Sequence, residues 1–167
     1  MASSKTKSSR TPATKKSAAR KVASKKGAPK IDARVLDYLA EEAKAAQEKA
    51  YAPYSKYKVG AAVLTKSGRV YRGANFENAS YGACICAERG AVGTMVAAGD
   101  REPIACVVVT NGKEPASPCG ICRQVFAEFA EDMTILLVGR SARGETRVTT
   151  TLAELLPRAF RGSALPK

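Results

Sequence analysis

The chain has 167 residues, 45% of them apolar, with 28 Lys and Arg against 15 Asp and Glu and no histidine. That length suits one domain of usual size with a real core. The missing imidazole excludes a Ser-His-Asp triad, a Cys-His thiol protease, a histidine-held metal and a histidine general base.

The net charge of +13 is unevenly placed: ten of the basic residues and none of the acids fall in residues 1–30, so residues 31–167 carry only about +3. Within that tail Val22 is the one large aliphatic beyond Met1, and there is no aromatic. Such a segment cannot bury enough surface to offset its backbone entropy and is expected to be disordered. It lacks the apolar stretch of a signal peptide or a membrane span. It is rich in Ser and poor in acids, as transit peptides are, but it lacks the Leu and Phe of an amphipathic face. Clustered lysines imply non-specific contact with nucleic acid. The plainer alternative is a solvated extension that aids solubility. The folded domain is expected over residues 31–167.

From Ile31 the texture changes. Asp32 is placed to cap a helix in which Val35, Leu36, Leu39, Ala40, Ala43 and Ala46 recur at helical spacing. Tyr51-Ala52-Pro53-Tyr54 ends it. Tyr57 to Thr65 reads as a strand, and Lys66 to Arg69 as a hairpin turn into Val70-Tyr71-Arg72. An extended segment follows through Asn75 and Glu77. Cys86 to Ala98 is helical in pattern, and Gly99-Asp100 stops it. Ile104 to Thr110 is a near-continuous apolar run, as a buried central strand would be. A helix is predicted from about Pro118 to Ala130, with Ser117 as its cap. Strands are predicted at Thr134 to Val138 and Arg147 to Thr150, then a short helix, Leu152 to Leu156. Alternating strands and helices predict a layered α/β domain.

The chemistry concentrates in Cys86-Ala87-Glu88 and Pro118-Cys119-Gly120-Ile121-Cys122. Cys119 and Cys122 stand at i and i+3, and Cys86 opens its own helix, so two helix starts would present three thiolates to one metal. Zinc held by three cysteines keeps one tetrahedral position open, and a nearby carboxylate, Glu88, can move protons there. This is the equipment of a zinc-dependent hydrolytic deaminase. Arg89 and Arg123 follow the two motifs and are candidates to donate hydrogen bonds to the thiolates, with Gln124 a further candidate. For the two arginines the plain alternative is an ordinary surface residue. Cys106 belongs to the buried strand and reads as core. Cys84 also neighbours the site, but Cys86 has the right offset to Glu88. Disulfides are not expected: five cysteines leave one unpaired, and a reduced, cytoplasmic setting suits free thiols.

Taken together, these segments resemble the small, single-domain, homotetrameric cytidine deaminases of nucleoside salvage. The resemblance spans about Val35 to Phe160. It rests on Tyr51-Ala52-Pro53-Tyr54-Ser55-Lys56-Tyr57, Val59-Gly60-Ala61-Ala62, Asn75-Phe76-Glu77-Asn78-Ala79, Cys86-Ala87-Glu88-Arg89, Ser117-Pro118-Cys119-Gly120, Cys122-Arg123-Gln124 and Glu154-Leu155-Leu156-Pro157. It implies a three-layer α-β-α sandwich around a mixed five-stranded sheet. It also implies one zinc per chain and hydrolysis of cytidine and deoxycytidine to uridine and deoxyuridine plus ammonia. The basic tail lies outside the family pattern.

Position by position, the resemblance puts the zinc ligands on Cys86, Cys119 and Cys122 and the proton shuttle on Glu88. It assigns the Ala87 N–H and the Ser117 carbonyl to the pyrimidine edge and the leaving ammonia. Asn75 and Glu77 match the ribose binders. Tyr57 stands where the family more often has Phe beside the base. Phe160 matches an aromatic that reaches a neighbouring subunit's base, and Tyr81 is a further candidate for contact between subunits. Three other readings compete with this one. A blasticidin S-type deaminase shares fold and zinc signature, but Asn75-Phe76-Glu77-Asn78 favours a plain ribonucleoside. A polynucleotide deaminase would bring a 3′-phosphodiester against Glu77. A non-catalytic zinc or nucleic-acid-binding module would need a fourth ligand and has no use for Glu88.

Overall fold

Asp32 opens the first helix: its carboxylate accepts a hydrogen bond from the Arg34 N–H at 2.8 Å. This is a computed structural model, and it describes residues 27–166. The tail up to residue 26, with the expectation of disorder, lies outside the described residues. Contact with the domain begins slightly before Ile31, since Thr134 Oγ1 donates to the Pro29 carbonyl at 2.6 Å.

Helix α1 runs Ala33–Glu48. Strands β1 (Val59–Thr65) and β2 (Val70–Ala74) form an antiparallel hairpin. Helix α2 (Ala87–Ala97) follows a short 3-10 turn at Tyr81–Ala83, and leads to β3 (Pro103–Thr110). Then come α3 (Gly120–Phe129), β4 (Thr134–Ser141), β5 (Gly144–Thr151) and the one-turn α4 (Leu152–Leu155). The five strands lie in the order β2-β1-β3-β4-β5. Only β3 and β4 are parallel; the other neighbours are antiparallel. The sheet is therefore mixed.

The sheet has a core on each face. On one side Leu39, Ala40 and Ala43 of α1 meet Val107, Val109, Leu136 and Val138. On the other, Ala91 and Met95 of α2 and Phe126 of α3 meet Val63, Cys106, Val108, Ile135 and Leu137. Alternate residues of β3 thus serve opposite layers, which is why its sequence is apolar throughout. Each fully buried large side chain such as Leu39, Met95 or Phe126 contributes roughly 1.5–3 kcal/mol. The result is the three-layer α-β-α sandwich.

Two glycines let the helices close on the sheet. A Cβ at Gly73 would overlap the Ala87 carbonyl and the Ala91 nitrogen, and one at Gly60 would overlap the Ala43 carbonyl. Gly73 matters for the site, because it allows the first turn of α2 to lie against β2. The far end of α2 is pinned by Asp100, which accepts from Thr65 Oγ1 at 2.8 Å and Ser67 Oγ at 2.6 Å.

The strand limits differ from expectation. β1 starts at Val59, not Tyr57, because side chains take the backbone groups ahead of it: the Tyr57 N–H donates to Ser55 Oγ, the Lys58 N–H to Asn111 Oδ1, and the Tyr57 carbonyl accepts from Asn75 Nδ2. β4 and β5 run longer than predicted and pair as far as Ser141↔Gly144, where Gly144 supplies φ 119° for a tight turn. The polar, exposed start of β5 carries no hydrophobic alternation from which this could be read.

Candidate active site

The helix starts converge on one point, but not as the sequence pattern predicts. Cys119, not Ser117, is the N-cap of α3, and Cys86 is the N-cap of α2. Ser117 and Pro118 remain in the loop ahead of α3, and Ser117 lines the cavity described below. Extended backbone at the two cysteines (ψ 153° and 167°) puts a thiol where a capping hydroxyl would stand. Cys122 follows in the first turn of α3.

The three sulfurs form a compact triangle. Cys86 Sγ lies 3.8 Å from Cys119 Sγ, and Cys119 Sγ lies 3.5 Å from Cys122 Sγ. All three atoms fall within 4.8 Å of one another. A tetrahedral zinc with Zn–S bonds of about 2.3 Å needs sulfurs about 3.8 Å apart, so the triangle has the right size. Protonation points the same way. Cys86 is held far below the ordinary thiol range, chiefly by a hydrogen bond from Cys122, then by Cys119 and the Arg89 guanidinium. Cys122 is pushed far up, because its own proton is engaged in the hydrogen bond to Cys86 and the thiol is buried. Thiols crowded like this at two helix N-termini share protons that a divalent cation replaces.

Glu88 sits in the first turn of α2 and is 5% exposed. Burial raises its carboxyl pKa, and the neighbouring Cys86 charge adds to this. Its own backbone N–H, Cys122 and Arg89 pull in the opposite direction. A carboxyl moved upward in this way is suited to proton transfer near neutral pH.

The residues beside the thiols divide. Arg89 stands against Cys86, donates through Nη2 to the Cys84 carbonyl at 2.7 Å, and leaves its buried Nε without a partner among the described residues. Arg123 makes none of the expected bonds to sulfur. It donates to the Pro118 carbonyl at 2.6 Å and the Leu155 carbonyl at 3.0 Å. Gln124 likewise donates to the Phe160 carbonyl at 2.6 Å. The reason is competition: the Pro118 and Phe160 carbonyls lie outside the helix and sheet ladders and the Leu155 carbonyl ends α4, so all three need donors. Both side chains therefore brace the cysteine loop and the C-terminal segment. Cys84 turns away from the triangle, accepting from the Asn78 N–H at 3.3 Å. Cys106 is fully buried in the core.

A cavity of about 300 Å³ opens beside the thiols. Its walls include Cys86, Ala87, Glu88, Ser117 and Cys119, with Tyr57, Asn75 and Glu77 also lining it. Asn75 Oδ1 accepts from the Val59 N–H at 2.8 Å, and its Nδ2 donates to the Tyr57 carbonyl at 3.0 Å. One N–H and one lone pair remain free. Glu77 accepts from the Tyr54 N–H at 2.9 Å, the Ser55 N–H at 3.2 Å and the Ser55 hydroxyl. These bonds, that of the Ser55 hydroxyl foremost, lower its pKa. A carboxylate has about four acceptor positions, so one is left on the oxygen that faces Ser55 Oγ.

Phe160 and Tyr81 do not line this cavity and are 60% and 83% exposed. Several wall residues were not singled out from the sequence. Val59, Val108 and Thr110 line the cavity floor, and Tyr54 and Ser55 hold Glu77. The alternation in the Ile104 to Thr110 run carried the signal for Val108 and Thr110, since it puts them on one face.

A family model described as the cytidine and deoxycytidylate deaminase zinc-binding region matches residues 33–138. A cytidine deaminase of Halalkalibacterium halodurans is 48% identical over 122 residues, covering 73% of this chain and 91% of that protein. The crystal structure of cytidine deaminase from Burkholderia pseudomallei superposes with a TM-score of 0.68 at 48% identity, covering 74% of this chain and 98% of that one. A blasticidin-S deaminase of Bacillus cereus is more distant, at 31% identity over 62% of this chain and 76% of its own length. No helix among the described residues is long and apolar enough to cross a membrane. Three thiols at zinc spacing, Glu88 beside them and the matching family model agree: the chain belongs to the zinc-dependent cytidine and deoxycytidylate deaminases.

Proposed function

We propose that the chain hydrolyses cytidine and deoxycytidine to uridine and deoxyuridine, releasing ammonia. The observation that carries this is Glu88, buried beside a thiol triangle of zinc dimensions on the wall of a nucleoside-sized cavity. Cys86, Cys119 and Cys122 hold the metal, which when bound lowers the pKa of a water toward neutrality. Glu88 takes the proton of the attacking water and delivers it to the ring nitrogen N3; it then takes the remaining proton of the hydroxyl added at C4 and passes it to the amine, so that ammonia leaves as the C4 carbonyl forms. The Ala87 N–H, at the open first position of α2, and the Ser117 carbonyl hold the pyrimidine edge. Arg89 offsets thiolate charge at Cys86. Asn75 and Glu77 use their remaining hydrogen-bonding positions for the ribose, with Tyr57 beside the base. A reducing, cytoplasmic setting is part of this reading and fits five free thiols.

Ultraviolet loss of cytidine tests the activity, with free cytosine and blasticidin S as competing substrates. Efficient turnover of cytosine, or of blasticidin S in preference to cytidine, would overturn the nucleoside assignment. Glu77→Ala leaves a ribose hydroxyl without its acceptor, at a cost of roughly 1–3 kcal/mol, so kcat/KM for cytidine is expected to fall about tenfold to hundredfold. The loss on 2′,3′-dideoxycytidine is expected to be much smaller. Equal losses on both would make Glu77 a brace of the Tyr54-Ser55 loop and nothing more.

The exposed Phe76, Tyr81 and Phe160 support assembly as a homotetramer in which Phe160 of one subunit reaches a neighbour's site. Phe160→Ala is then expected to raise KM. A fully active monomer by light scattering would exclude shared sites.

A further inference from the structure

Thr110 ends β3 on the face shared with Cys106 and Val108, pointing toward the converging starts of α2 and α3. Its backbone is fixed from both sides, by Val59 of β1 and Gly139 of β4. The residue is 1% exposed, and it lines the same cavity as Glu88 and Ala87. Its Oγ1 has no hydrogen-bond partner among the described residues. A buried hydroxyl left unpaired is costly, and native proteins rarely keep one without a use. Neighbouring walls are apolar: Val59 and Val108 offer it nothing to bond. Valine would fill the same space without the penalty.

We propose that Thr110 is a specificity-determining residue whose hydroxyl hydrogen-bonds a heteroatom of the bound pyrimidine. This rests on the nucleoside reading above. The base is the part of the substrate that must lie beside Glu88, and it carries ring nitrogen, oxo and amino groups that a hydroxyl can meet as donor or acceptor. The sugar lies elsewhere, against Asn75 and Glu77. A hydroxyl that waits unpaired for its ligand is a destabilising feature kept for function.

The signature is an opposite response of stability and activity. In the zinc-loaded, full-length protein, Thr110→Val is expected to leave the substrate-free Tm unchanged or higher. The same change is expected to lower kcat/KM for cytidine about tenfold, the loss of roughly one hydrogen bond. Thr110→Ser is expected to restore most of that loss. The fold-loss is expected to be the same on 2′,3′-dideoxycytidine, because the contact is to the base. An unchanged kcat/KM in Thr110→Val overturns the proposal. So does a lower Tm, which would reveal a structural bond, or a loss that Thr110→Ser does not repair. A loss that vanishes on the dideoxy substrate overturns the base assignment. Unmodified protein that leaves cytidine intact overturns the nucleoside reading itself, and is told apart because it needs no variant.

Discussion

Glu88→Gln is expected to keep its zinc and its fold and to lose at least ~10²-fold in kcat. The substitution is isosteric, so the first turn of α2 and the tight contact with β2 at Gly73 are undisturbed. A glutamine cannot carry the water's first proton to the ring, nor the second, from the hydroxyl added at C4, to the amine. Solvent is a poor substitute, because the side chain is 5% exposed. Stability is not expected to fall, since a carboxyl whose pKa is raised by burial is disfavoured in its charged form. The measurements are cytidine turnover by ultraviolet absorbance, zinc by atomic emission and Tm by circular dichroism. Turnover within a few fold of the unmodified protein would rule out Glu88 as the shuttle. Loss of zinc from this variant would instead give Glu88 a role in holding the metal.

Much of the site was legible because its chemistry depends on residue type and short spacing. Cys119 and Cys122 lie three apart, and Glu88 lies two after Cys86, so local geometry carries them to one point once the helix starts meet. The two-sided burial of β3 was legible from its unbroken apolar run, and the cap at Asp32 from the helical spacing that follows. What failed were statements about where a long side chain reaches. Arg123 and Gln124 were expected to meet sulfur, but bond carbonyls of Pro118, Leu155 and Phe160 that only the folded chain brings near. The start of α3 was misplaced because Ser117-Pro118 is a strong local opening signal. The loop overrides it by staying extended until Cys119 takes the cap. The role of Thr110 was not legible for another reason: alternation puts it on the cavity face, but a threonine ending a strand is ordinary, and only the missing partner distinguishes it.

Cys119→Ala is expected to abolish zinc binding and activity together. Two thiols would remain, Cys86 on α2 and Cys122 on α3, and the triangle whose edges are 3.8 and 3.5 Å at Cys119 would be lost. Zinc sites of this kind need three protein ligands to hold the metal while one position stays open. The Cys119 thiol makes no capping hydrogen bond, but alanine is a poor residue at the N-cap of α3, so loss of metal and fraying of the helix would be confounded. Cys119→Ser separates them. Serine is among the best N-cap residues and preserves the helix start, yet a neutral hydroxyl is a poor replacement for a thiolate ligand. Both variants are therefore expected to contain little zinc, with Cys119→Ser melting higher than Cys119→Ala. Cys84→Ala is the control. Its sulfur is engaged with Asn78 outside the triangle, so one zinc per chain is expected to remain. Full zinc content in Cys119→Ser, measured by atomic emission after chelator challenge, would remove Cys119 from the ligand set. Loss of zinc in Cys84→Ala would move the third ligand two residues upstream and separate the metal from the helix start that places Glu88.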